Sequence, residues 1–235
     1  MIAIVALIAL LQVTAAAALS LMPTQTEEFT VPTADPGITL YLRNKHYAGT
    51  GTDDFFDTVL FVHGGTYPGE SFDVIFDGVD CPGLEPKTKS LSFWDRLGIQ
   101  PLEEEPDYAG IKWRSWMDYQ FLSNFDVYFV DIRGYGRSTK PSEMNEPADK
   151  NPPVARTDIA ARDLAVAVDF ILKRRNVQRL DLIGSGWGSV LAAGYAAQHP
   201  ERVERLVLQS PIWLRDASPI APVPGSLPAY RVVTR

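Results

Sequence analysis

Residues 180–211 read LDLIGSGWGSVLAAGYAAQHPERVERLVLQSP. The apolar run at Leu180, Leu182 and Ile183 predicts a buried strand. It enters a glycine-rich turn, Gly184-Ser185-Gly186-Trp187-Gly188-Ser189, and then an alanine-rich helix that should end near His199-Pro200. A second apolar run, Arg205 to Gln209, predicts the next strand. A strand, a sharp turn and a helix form the setting in which the pattern G-x-S-x-G presents a nucleophilic side chain. Here the pattern is G-x-G-x-G, and Gly186 fills the slot where a hydroxyl would stand.

Two other segments run from an apolar strand into a distinctive turn. Thr58-Val59-Leu60-Phe61-Val62 leads into His63-Gly64-Gly65. Phe125-Asp126-Val127-Tyr128-Phe129-Val130 leads into Asp131-Ile132-Arg133-Gly134-Tyr135-Gly136-Arg137-Ser138. These three motifs, in this order, resemble the α/β-hydrolase superfamily, most closely its proline-iminopeptidase-like and esterase-like branch. The resemblance covers most of residues 28–235. Two anchors give the same register. Gly184, Trp187 and Gly188 match the family's elbow, and Pro200 matches its proline at the helix end, 14 positions after Gly186.

The resemblance implies an α/β fold: a mostly parallel sheet with helices on both faces. It implies an oxyanion hole built from the backbone N–H of Trp187 and that of the HGG turn, Gly65 or Thr66. It implies that the loop from Asp131 to Ser138 braces the site without taking part in the chemistry. In the family a serine attacks an ester or amide carbonyl, a histidine takes its proton and an acid orients the histidine. The chain order is Ser, then Asp or Glu, then His. No histidine follows His199. The expectation is therefore a C-terminally truncated core, with the last two strands and their acid and histidine outside this chain.

Gly186 also excludes an aspartate nucleophile, because glycine has no side chain. Ser185 and Ser189 flank the slot, and both read as structural, since only the central elbow residue faces a substrate. By this reading the parent is a serine hydrolase of small esters or N-terminal peptide bonds, and this chain lacks acyl-enzyme chemistry. A non-catalytic binding protein is the alternative. A third reading takes Gly184 to Ser189 as G-x-G-x-x-S, close to the dinucleotide fingerprint. It is the weaker one, because the strand at Arg205 to Gln209 ends without the acidic residue that would hold a ribose.

The chain has 235 residues, enough for one domain with a sizeable core. It carries 29 acidic against 22 basic residues, a net charge of −7, which argues against nucleic acid as a partner. Ile2 to Leu11 is a ten-residue apolar run, short for a membrane span, and a small-residue tract follows at Ala15 to Ala18. Residues 1–18 thus read as a signal peptide, or as an anchor if uncleaved, and the protein as secreted or periplasmic. Cys81 is the single cysteine, and His46, His63 and His199 have no ligand-like spacing, so neither metal nor cofactor is implied. His63 is expected to hold its turn by hydrogen bonds, and His199 to sit at a helix end.

Glu28 to Val31 and Ile38 to Lys45 predict an antiparallel strand pair around the turn Asp35-Pro36-Gly37. A short helix is expected at Ser71 to Phe76. Residues 81–113, rich in proline, glycine and charge, read as an insertion in the domain spanning 19–235, either a lid or a surface loop. Apolar positions Ile159, Leu164, Val168, Ile171 and Leu172 predict a helix from Thr157 to Arg175, with Thr157 as its N-cap.

Overall fold

The computed structural model describes residues 24–47, 57–74, 115–122, 125–147 and 149–212. The segment 1–18, the insertion at 81–113 and the residues after 212 lie outside that set.

Six strands form one sheet: β1 (Thr24–Pro32), β2 (Thr39–Tyr47), β3 (Asp57–Val62), β4 (Phe125–Asp131), β5 (Leu180–Ser185) and β6 (Val203–Gln209). Their spatial order is β1-β2-β4-β3-β5-β6. The first two pair antiparallel, with Phe29 opposite Leu42, and β2 joins β4 antiparallel, with Leu42 opposite Val130. The remaining neighbours are parallel: β3 with β4, β3 with β5, and β5 with β6. Among the described residues three α-helices accompany the sheet: α1 (Trp116–Leu122), α2 (Thr157–Arg175) and α3 (Trp187–Gln198).

The central strands are apolar at nearly every position because both sheet faces are covered. Side chains alternate between the faces. On β3, Leu60 and Val62 join Leu42, Tyr128, Val130 and Leu182 in a core closed by Leu164, Val168 and Ile171 of α2 and by Leu191 and Ala192 of α3. The intervening residues Val59 and Phe61 point the other way, into a smaller core with Tyr41, Val127, Phe129 and Met117 of α1. The helix α1 between β3 and β4 therefore packs on one face, and α2 and α3, which precede β5 and β6, pack on the other. Chain order reverses between β3 and β5. In open α/β sheets such a reversal opens a crevice beyond the carboxyl ends of the strands.

Two expectations on local structure need correction. In place of the start of the helix expected at 71–76 there is a 3-10 turn at Gly69–Asp73 that ends in extended backbone at Val74; residues 75 and 76 lie outside the described set. The turn starts earlier because the Gly69 N–H is taken by the buried Asp131 Oδ1 at 2.7 Å. The N-cap of α2 is Arg156, with no side-chain capping bond, and not Thr157. The Thr157 hydroxyl instead accepts a hydrogen bond from the indole Nε1–H of Trp187, 3.2 Å away. Helix α2 ends at Asn176, which adopts the left-handed conformation (φ 52°) and returns its N–H to the helix carbonyls of Leu172 and Lys173.

Candidate active-site crevice

The C-terminal ends of β3, β4 and β5 lie side by side, with Val62 opposite both Val130 and Gly184. The HGG turn, Asp131 and the elbow thus meet at one edge of the sheet, as the sequence predicts.

At the elbow the chain leaves β5 and enters α3 without a connecting loop. Two of its three glycines are fixed by close approach. A Cβ on Gly184 would lie 2.3 Å from the Gly188 carbonyl oxygen, and one on Gly188 would lie 2.3 Å from the Val62 carbonyl oxygen. Helix α3 can approach β3 and β5 only because both side chains are missing. Gly186 differs. A Cβ there would meet only the Gly64 Cα, at 3.8 Å, an ordinary contact. What Gly186 supplies is backbone conformation, φ 55° and ψ −116°, a region that side-chain-bearing residues enter only under strain. The slot is therefore open toward the HGG turn. A Cβ there has room, at the cost of backbone strain, and glycine leaves the position without a side chain.

The elbow is tied on both sides. The Gly186 N–H donates to the Gln209 carbonyl at 2.9 Å, and the Ser189 N–H donates to the Gly186 carbonyl at 3.1 Å. The Ser189 hydroxyl is buried and lies 2.9 Å from the carbonyl oxygens of both Gly184 and Gln209. Its single proton is committed to the backbone, so Ser189 is structural. Gly65 sits against the start of α3, where a Cβ on it would lie 3.8 Å from the Trp187 Cβ. The first N–H groups of a helix have no intrahelical acceptor and carry the positive end of its dipole. Gly65, Gly186 and Trp187 thus lie together beyond the C-terminal ends of β3 and β5.

His63 is fully buried, and its two ring nitrogens have different tasks. Nε2 accepts the Ile132 N–H at 3.1 Å, so the proton is on Nδ1, which donates to the Gly64 carbonyl at 2.6 Å. Burial pushes the pKa of His63 below its usual value, against the opposing pull of the Gly64 carbonyl and the Asp131 carboxylate. The ring is thus a neutral strut between β3 and β4. His199 caps the end of α3, and its Nδ1 lies 3.7 Å from Glu201 Oε1. Among the described residues no group of three His, Cys, Asp or Glu side chains could hold a metal ion.

The loop after β4 braces this architecture. Asp131 accepts the Gly69 N–H at 2.7 Å on one oxygen and the Arg137 N–H at 2.9 Å on the other. Burial raises its pKa, and the Arg137 and Gly69 N–H donors hold the rise down. Arg133 grips Asp163 of α2 with two bonds, 2.8 and 2.6 Å, and reaches Asp35 at 2.6 Å. Both Asp163 and Arg133 are buried. Sequence reasoning did not single out Asp163 or Tyr135. The Tyr135 hydroxyl donates to the Gly65 carbonyl at 3.1 Å, and its ring packs at a tilt of 52° against that of His63, centroids 4.6 Å apart. The one signal for Tyr135 was its position as the sole large side chain between two glycines.

A family model described as the alpha/beta hydrolase fold matches residues 102–227. Over 93 residues the chain is 27% identical to an abhydrolase domain-containing protein, abhd-5.2, of Caenorhabditis elegans, covering 40% of this chain and 19% of that protein. Over 105 residues it is 28% identical to a proline iminopeptidase of Neisseria meningitidis serogroup A, covering 41% of this chain and 30% of that enzyme. The aligned part of the chain is thus less than a third of the length of either relative. Among solved structures, an epoxide hydrolase mutant of Vigna radiata aligns with a TM-score of 0.45 at 17% identity, over 78% of this chain and 38% of that one. The family match spans more than half of the 235 residues, and the chain belongs to the α/β-hydrolase fold family.

Proposed function

We propose that this chain carries the oxyanion-binding half of a serine-hydrolase site whose nucleophile position is empty. The carrying observation is the elbow: its backbone is bent for a nucleophile, its slot has room for a side chain, and the residue there is Gly186. Covalent acyl transfer needs an attacking hydroxyl, thiol or carboxylate, and glycine provides none. The backbone donors of an oxyanion hole need no particular side chain, so Trp187 and the turn at Gly65 support binding of a carbonyl or carboxylate oxygen. The substrate class of the parent is small esters or N-terminal peptide bonds. The similarity to proline iminopeptidases supports it.

The test is turnover of aryl esters and aminoacyl anilides by the full-length protein carrying this chain, as Gly186 and as Gly186→Ser. Turnover in the serine form alone supports the reading; equal turnover in both forms overturns it. Trace activity of the glycine form does not count against it, because an oxyanion hole and binding alone give a residual ~10³–10⁴-fold acceleration. We further propose export directed by residues 1–18. N-terminal sequencing of secreted material that still begins at Met1 would refute cleavage there.

A further inference from the structure

We propose that Tyr135 is a positioning residue for the turn His63-Gly64-Gly65-Thr66, and that its hydroxyl fixes the direction of the Thr66 N–H. This rests on the reading of the crevice as an oxyanion site. In a trans peptide the C=O of one residue and the N–H of the next point in opposite directions. The structure gives each of the two carbonyls in this turn its own side-chain donor. His63 Nδ1–H holds the Gly64 carbonyl at 2.6 Å, which sets the Gly65 N–H. The Tyr135 hydroxyl holds the Gly65 carbonyl at 3.1 Å, which sets the Thr66 N–H.

Glycine imposes little preference of its own on these peptides, so the Gly65–Thr66 plane depends on an external restraint. Tyr135 is suited to provide one. Its ring is wedged between the His63 ring, centroids 4.6 Å apart, and the Trp187 ring, 6.2 Å away. The Trp187 ring is in turn anchored by its bond to Thr157. The loop after β4 therefore reaches across to the turn after β3 and touches both the HGG turn and the first residue of α3. A side chain that only filled space would not need a hydroxyl there.

The experiment compares the chain with its Tyr135→Phe variant, which keeps the ring and removes one oxygen. In isotope-labelled protein the Gly65 carbonyl carbon is expected to move upfield, and the Thr66 amide to shift or broaden, with the unfolding midpoint close to that of the parent. No change at Gly65 and Thr66, or a Phe variant that fails to fold, overturns the proposal: the first shows that the bond does not set the peptide, the second that the hydroxyl serves stability. A second arm places Tyr135→Phe in Gly186→Ser full-length protein. Removing a single oxyanion donor outright costs about 10²–10³ in rate. With the Thr66 N–H as the turn's oxyanion donor, loosening it is expected to slow fluorophosphonate labelling by about tenfold, with KM for an aryl ester changed less than about twofold. An unchanged labelling rate overturns the catalytic part. If Gly186→Ser alone is unreactive, the hydrolase reading fails while the carbonyl measurement still decides the role of Tyr135.

Discussion

Gly184, Gly186 and Gly188 look equivalent as letters and differ as positions. A Cβ on Gly184 or Gly188 would lie only 2.3 Å from a backbone carbonyl oxygen, whereas one on Gly186 would meet its nearest neighbour at 3.8 Å, at a φ of 55°. Gly186→Ala is expected to cost about 1–3 kcal/mol, the usual range for forcing a side chain into a sparsely populated backbone region. Gly188→Ala is expected to exceed about 4 kcal/mol or prevent folding, because β3 and α3 must separate. Urea unfolding of the two variants checks the contrast; equal costs would mean that the slot at 186 is not open. His63 gives a pH prediction. Its folded pKa is depressed by burial, so the unfolded chain takes up the proton first as pH falls below the ordinary histidine value of about 6.5. The native state must then lose stability as pH drops from about 6.5 toward the depressed folded value. His63→Asn removes this dependence, so the stability gap between parent and variant should be widest at pH 7 and narrow by pH 5.5. A gap that is constant over that window would show that His63 is not a neutral strut. The place of Gly186 at the turn between β5 and α3 was legible in the sequence because two anchors fixed its register. The tautomer of His63 was not, because it depends on the Ile132 N–H, 69 residues away.

At the scale of elements, the strands and helices follow from apolar runs and their spacing, because burial on one or two faces leaves a local periodic signal. The mostly parallel sheet with helices on both faces was implied by the family resemblance and is what the register gives; the order of its strands was not read from the sequence. What sequence reasoning missed are contacts between elements that leave no local trace. Thr157 reads as a cap, yet its hydroxyl serves Trp187, 30 residues away. Arg133 reads as part of a loop motif, yet its partner is Asp163 in the middle of α2. That pair joins the loop after β4 to the helix covering the larger core. Asp163→Ala leaves a buried guanidinium with only Asp35 for company, and breaking such a pair costs about 3–5 kcal/mol. The lower end is expected here because Asp35 remains. Asp163→Asn, which keeps one acceptor oxygen, should cost less than the alanine change. If Asp163→Ala is neutral in urea unfolding, the β4 loop is not held from α2.

For the molecule as a whole, β6 is the open edge of the described sheet. Leu206, Val207 and Leu208 on it are 40%, 50% and 39% exposed. An apolar strand with unpaired backbone groups is a template for further pairing. Residues 24–212 are expected to associate with rising concentration in sedimentation, and Val207→Lys to suppress that association; a monomer at all concentrations would show that the edge is protected. The proposed function rests on the C-terminal ends of β3 to β5, where an α/β-hydrolase elbow and its bracing loop are in place and residue 186 is glycine. The most direct measurement is fluorophosphonate labelling of the full-length protein as Gly186 and as Gly186→Ser, with the adduct located by mass spectrometry. The account predicts no adduct on the glycine form and a single adduct on residue 186 of the serine form. An adduct on Ser185 or Ser189 of the glycine form, or an unlabelled serine form, would contradict it.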